Sequence, residues 1–179
     1  MADPGRSPEI LAMRTHQHAF TLVELLLVVV ILGILAAVAI PQFSDSSAEA
    51  KAASLQSNLA VVRQAIEYYR TNHNGKYPGY PAAGGAPTAA ETTNQLTLAS
   101  KADGTTAAPG TAGFGYGPYI REALPENPIN GLATVLVVAD SDSFKTADNT
   151  TGWIYQPLTG RIRANSTGNA PSGKAFYDF

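Results

Sequence analysis

Cysteine is absent from the 179 residues. That excludes disulfide closure, thiolate metal sites and cysteine nucleophiles, and leaves the redox compartment open. Charge is also scarce: 15% of residues are Asp, Glu, Lys or Arg, and the formal net charge is -2. So even a balance offers no basic stripe for phosphates, and no nucleic acid is expected as a partner. Of three histidines, only His73 lies outside the first twenty residues. The sequence holds no nucleophile motif, and the glycines between Gly113 and Gly117 are tied to aromatic residues without the lysine of a phosphate loop. These absences point away from an enzyme. The length allows one ordinary domain plus an appendage.

What the sequence has is a long apolar run. Phe20 to Ile40 reads FTLVELLLVVVILGILAAVAI, broken only by Thr21, Glu24 and Gly33. As a helix its 21 residues would measure roughly 32 Å, enough for a hydrocarbon core of about 30 Å. It has no polar stripe, so it reads as a membrane span and not as a soluble core helix. Arg14 precedes it and Lys51 is the first cation after it, which places the N-terminus in the cytoplasm and the C-terminal bulk across the membrane.

Glu24 is the exception within that run. A carboxylate there costs a few kcal/mol at mid-membrane, less near the interface. One reading keeps it wet at the helix start, favoured by the helix dipole. The other gives it a cation: a cut before Phe20 would place a new α-amine four residues ahead of it. That amine, its own or a neighbour's, would then set the register of packed helices.

The run Ala19-Phe20-Thr21-Leu22-Val23-Glu24-Leu25, the apolar stretch after it and Pro41 together resemble the processing motif of type IV pilins and type II secretion pseudopilins. The resemblance implies a prepilin peptidase that cuts between Ala19 and Phe20 and methylates the Phe20 amine. It implies assembly roles for Glu24 and for a kink at Pro41. It also implies a homo-oligomeric filament, with minor pseudopilins and an inner-membrane assembly platform as partners. The residue before the cut is usually Gly in that family, and here it is Ala19, also small. Residues 1–19 are then a leader, with Met13 as an alternative start. A competing reading is a secretory signal cleaved after Ala37-Val38-Ala39.

Beyond Pro41, residues 44–74 carry Leu55, Leu59, Val62, Ile66 and Tyr69 at spacings of four and three, one stripe of an amphipathic helix. Gly75 is the expected left-handed stop. The junction of Tyr68-Tyr69-Arg70 with Asn74-Gly75-Lys76-Tyr77-Pro78 resembles that of major pseudopilins, although Tyr69 and Tyr77 also read simply as a seal between helix and head. Residues 82–113, rich in Ala, Gly, Thr and Pro, read as a variable surface loop with a helical turn near 93–99. Strands are expected at 132–139, 153–155 and 161–164, with Pro157 and Gly160 turning the last two into a hairpin.

The expected fold is α+β and pilin-like. A long N-terminal helix, membrane half 20–43 and amphipathic half 44–74, packs on a small antiparallel sheet in a head of 75–179. No resident cofactor is expected. Related pseudopilins bind calcium in the head, and Asp140 and Asp142, with Asp148 nearby, are the oxygen ligands on offer; the competing reading is a solvated acidic loop. The leading expectation is a secretion pseudopilin in the inner membrane of a bacterium, contacting lipid, single-pass, with its head in the periplasm. The alternatives are a type IV pilin, a membrane-anchored binding protein that never polymerises, and a secreted soluble domain.

Overall fold

A computed structural model describes residues 20–138 and 144–179, and for residues 38–45 the backbone alone. The chain divides into two compact units between Gln42 and Phe43, each described here by itself. Helix α1, Leu22–Asn72, belongs in part to each.

In the second unit the expected stripe is the centre of the core. Leu55, Leu59, Val62, Ile66 and Tyr69 are all buried, joined by Ala52 and Ala65 between them. Each large side chain contributes roughly 1.5–3 kcal/mol by leaving water, as an upper figure. The small alanines keep that face smooth enough for close approach to the sheet. α1 ends one residue earlier in the turn than expected. Asn74 takes the left-handed position (φ 53°) and Gly75 follows at φ 79°, while the Gly75 N–H reaches Arg70 O at 2.9 Å. That bond closes a Schellman cap, in which asparagine tolerates the left-handed position.

The sheet consists of β3 (Val135–Val137), β4 (Trp153–Gln156) and β5 (Arg161–Ala164), with β4 in the centre. Trp153 pairs with Ala164 and Tyr155 with Ile162, so these four side chains share the face that joins the α1 stripe in the core. The hairpin turn is as expected, with Gly160 at φ 68° and its N–H on Gln156 O at 2.9 Å. β4 and β5 are antiparallel, but β3 runs parallel to β4. Residues 138–152 connect those two strands, a length of the dozen or so that a parallel crossover needs and far more than a tight hairpin uses. The sheet is therefore mixed, within the expected α+β head.

The helical turn expected near 93–99 is present as part of a longer helix, but residues 82–113 otherwise differ from a surface loop, since much of the segment is built into the fold. It forms α2 (Ala89–Thr97) and a two-stranded antiparallel ladder of β1 (Ala99–Ser100) with β2 (Thr106–Ala107). Thr88 caps α2 by accepting from the Glu91 N–H at 3.1 Å. Gln95 is fully buried; its amide accepts from Gly79 N at 2.7 Å and donates to Tyr80 O and Gly104 O. α2 packs through Thr92, Gln95 and Thr97 with Leu96 as its one large apolar side chain in the core, which is why apolar periodicity did not show it.

Candidate functional site

The residues at the proposed cut lie at the start of α1. Thr21 is the helix N-cap: its Oγ1 accepts from the Glu24 N–H at 3.2 Å. Glu24 Oε2 in turn accepts from the Thr21 N–H at 3.0 Å and from the Thr21 hydroxyl at 2.9 Å. This is a reciprocal capping box, Thr-x-x-Glu, which satisfies two amides that no helical carbonyl can reach. The Thr-x-x-Glu spacing at Thr21 and Glu24 is the sequence signal of this box. Phe20 is exposed immediately ahead of it, and the large apolar side chains from Leu22 to Leu35 are exposed as well. A cut before Phe20 would leave the capping box whole and put the new amine one residue from the Thr21 amide that Glu24 already grips. The structure therefore brings Phe20 and Glu24 to one helix start. Ala19 and the side chain of Pro41 lie outside the described residues; the backbone at Pro41, where a kink is expected, is part of the unbroken span of α1.

Among the described residues no helix is long and apolar enough to cross a membrane. The expected span, Phe20 to Ile40, ends in Val38, Ala39 and Ile40, whose side chains are outside the described residues.

In the head, Asp140 and Asp142 also lie outside the described residues. Asp148 is described, and its Oδ1 is already occupied: it accepts from Thr150 N at 3.0 Å, Thr150 Oγ1 at 2.7 Å and Asn165 Nδ2 at 2.7 Å. Those donors hold the carboxyl below its usual range. Asn165 is fully buried and donates also to Thr151 Oγ1 at 2.8 Å, so it acts as a clamp. Asn127 and Asn130 are clamps of the same kind, on Gly152 O and Thr151 O. Among the described residues no group of three His, Cys, Asp or Glu is placed to hold a metal ion.

His73 extends the α1 stripe by one more turn, a role the sequence reading did not give it. It is buried, stacked on Tyr69 with ring centroids 3.7 Å apart, and met at an angle by Tyr116 and Tyr119. Its Nδ1 lies 2.8 Å from Tyr69 O, which can only accept. Nδ1 therefore carries the proton, and Nε2 accepts from the Ser100 hydroxyl at 3.1 Å. Serine and histidine side by side suggest a nucleophile, but Ser100, which would have to attack, is fully buried, so the pair is structural. Burial lowers the His73 pKa, against smaller opposing effects of the Tyr69 and Lys101 backbone and of Asp103. With the folded pKa below the unfolded one, the unfolded chain binds the extra proton. Stability should then hold above the ordinary histidine pKa of about 6.5 and fall as pH drops through it. Melting of a fragment beginning at Ser44 should therefore shift down between about pH 8 and pH 5, and His73→Gln should flatten that dependence.

The family model for the prokaryotic N-terminal methylation motif matches residues 14–40. A fimbrial protein of Neisseria meningitidis serogroup B is 39% identical over 79 residues, 44% of this chain and 46% of that protein. The type IV major pilin protein PilE1 of Neisseria gonorrhoeae is 42% identical over 66 residues, 37% of this chain and 39% of its own length. The type IV major fimbrial protein FimA of Dichelobacter nodosus is 46% identical over 55 residues, 31% of this chain and 35% of its own. The chain thus spans less than half the length of each of these relatives. No solved structure matches it.

Proposed function

We propose that this chain, whose residues 14–40 match the prokaryotic N-terminal methylation motif and which resembles type IV pilins over part of its length, is a structural subunit of a helical filament. The observation that carries the proposal is the run of exposed apolar side chains from Leu22 to Leu35 behind a capped Thr21–Glu24 start. Such a surface is stable only in lipid or against other helices. Before assembly it lies in the membrane; after assembly, copies of the same helix cover it, and the heads remain outside. The function is structural and not catalytic.

Between the two filament systems, a type IV pilus is the better supported. The relatives named above are fimbrial and pilin proteins. The type II secretion reading rests on the junction after α1, where Tyr155 donates to Pro78 O at 2.9 Å and the Tyr77 ring lies against Gly160. Both contacts serve equally well as a seal of the head in either system. Deleting the gene separates them: loss of surface fibres with normal protein secretion supports the pilus, and the reverse result supports the pseudopilus.

Processing gives the direct test. The mature chain should begin at Phe20 and carry one methyl group on its amine, measured by mass spectrometry of membrane-extracted protein. A terminus at Ile40 would show an ordinary secretory signal instead. A bulky residue in place of Ala19 should leave full-length precursor in the membrane.

A further inference from the structure

A cavity of about 450 Å³ opens in the head, between the chain that follows α1, the turn at 102–104 and the β4–β5 turn. The filament reading makes no use of it. Its size falls within the range of about 300–1,000 Å³ typical of small-molecule sites. Tyr69 is part of its wall and is itself only 2% exposed. Every fully buried side-chain nitrogen or oxygen among the described residues has a hydrogen-bond partner. The Tyr69 hydroxyl has none from any described residue, so it is open to the cavity that the ring lines. A phenol buried this deeply with its polar tip unpaired is unusual, because such groups normally find a partner. Gly104 keeps the way clear: a Cβ there would crowd the Tyr69 hydroxyl at 3.1 Å, and its φ of 93° disfavours any side chain.

The charges on the wall narrow the ligand. Asp103 lines the cavity with one carboxylate oxygen committed to the Thr105 N–H at 2.9 Å. Lys76 lines it too, and neither forms an ion pair with any described residue. A ligand of single charge would meet its own sign as readily as the opposite one. A neutral ligand meets donors and acceptors without that repulsion. Pro157 and the exposed Leu158 supply an apolar rim. A neutral molecule with hydroxyls on its edge and a C–H face fits all three features.

We propose that this cavity is a binding site for a neutral saccharide. The Tyr69 hydroxyl and the Asp103 carboxylate hydrogen-bond to sugar hydroxyls, and Pro157 and Leu158 pack on the C–H face of the ring.

The test uses the full chain in sugar-free amine-oxide micelles, with the methyl glycosides of glucose, galactose, mannose and N-acetylglucosamine each added to about 20 mM and read by saturation-transfer NMR. At least one glycoside should receive saturation, with a Kd in the millimolar range. Tyr69→Phe, which keeps the stacked ring, should weaken it about five-fold at unchanged Tm. Asp103→Asn, which can still accept from Thr105, should weaken it as well. Transfer to none of the four glycosides would overturn the proposal, and so would transfer that both variants leave unchanged. Acetate or tetramethylammonium binding that is lost in Tyr69→Phe would show that the site takes charged ligands, and would overturn it too.

Discussion

Glu24→Gln should leave membrane insertion and cleavage intact and abolish filaments. The glutamine amide oxygen can still accept from the Thr21 N–H, where Glu24 Oε2 now sits at 3.0 Å, so the helix start keeps its cap. What disappears is the charge. In a lone subunit near the interface the Phe20 amine and Glu24 stay partly hydrated, and their attraction adds little. In a filament the helices pack and water leaves, so an unmatched amine becomes expensive. Breaking such a pair costs on the order of 3 kcal/mol per contact, which raises the concentration needed for growth more than about 100-fold. Glu24→Leu should abolish filaments too, although it makes the run more apolar and removes the cap as well. Cleavage and filament yield are scored together, by immunoblot and electron microscopy. Loss in Glu24→Leu with normal filaments in Glu24→Gln would assign the residue to capping alone. Normal filaments from both would leave Glu24 with no assembly role.

Gly152→Ala should unfold the head, or lower its stability by on the order of 3–5 kcal/mol, from a total of about 5–15. A Cβ at Gly152 would stand 2.0 Å from Leu132 O and 2.7 Å from Leu132 C. Both are backbone atoms and cannot swing aside. The Gly152 N–H donates to Thr134 O at 2.9 Å, while its carbonyl accepts from Asn165 N and from the buried Asn127 amide. Relieving the clash therefore means parting the strands β3 and β4 or stripping the asparagine clamps. Thermal melting of the fragment from Ser44 onward, a compact unit in this structure, measures the effect. An unchanged Tm would mean that the segment at Leu132, which leads into β3, moves freely, contrary to its hydrogen bonding. Asn127→Ala should act in the same direction and more weakly, since it removes one of the two donors on Gly152 O and the donor to Ser166 Oγ without a clash.

The helix was legible because its signals are periodic. Leu55 to Tyr69 recurs at helical spacing and every member is buried, and the hairpin at Pro157–Gly160 announced itself through turn residues. The head's second layer was not legible, for a physical reason. Gln95, Asn127, Asn130 and Asn165 are polar residues whose burial is favourable only after distant chain segments supply their partners. Gln95 joins residues 79, 80 and 104, and Asn127 joins 152 and 166. No local window contains those partners, so in sequence such residues look like loop. The parallel pairing of β3 was hidden in the same way, because strand direction depends on where a long connection returns.

The sequence by itself determined the processing motif, the apolar run and the amphipathic stripe, since each depends on residue identity within one short stretch. Only the tertiary structure decided that Asp148 is held by donors of Thr150 and Asn165, that β3 runs parallel to β4, and that the Tyr69 hydroxyl faces a cavity. Side-chain chemistry is local, but which partner satisfies a polar group is set by how the backbone brings residues far apart in sequence within about 3 Å of each other.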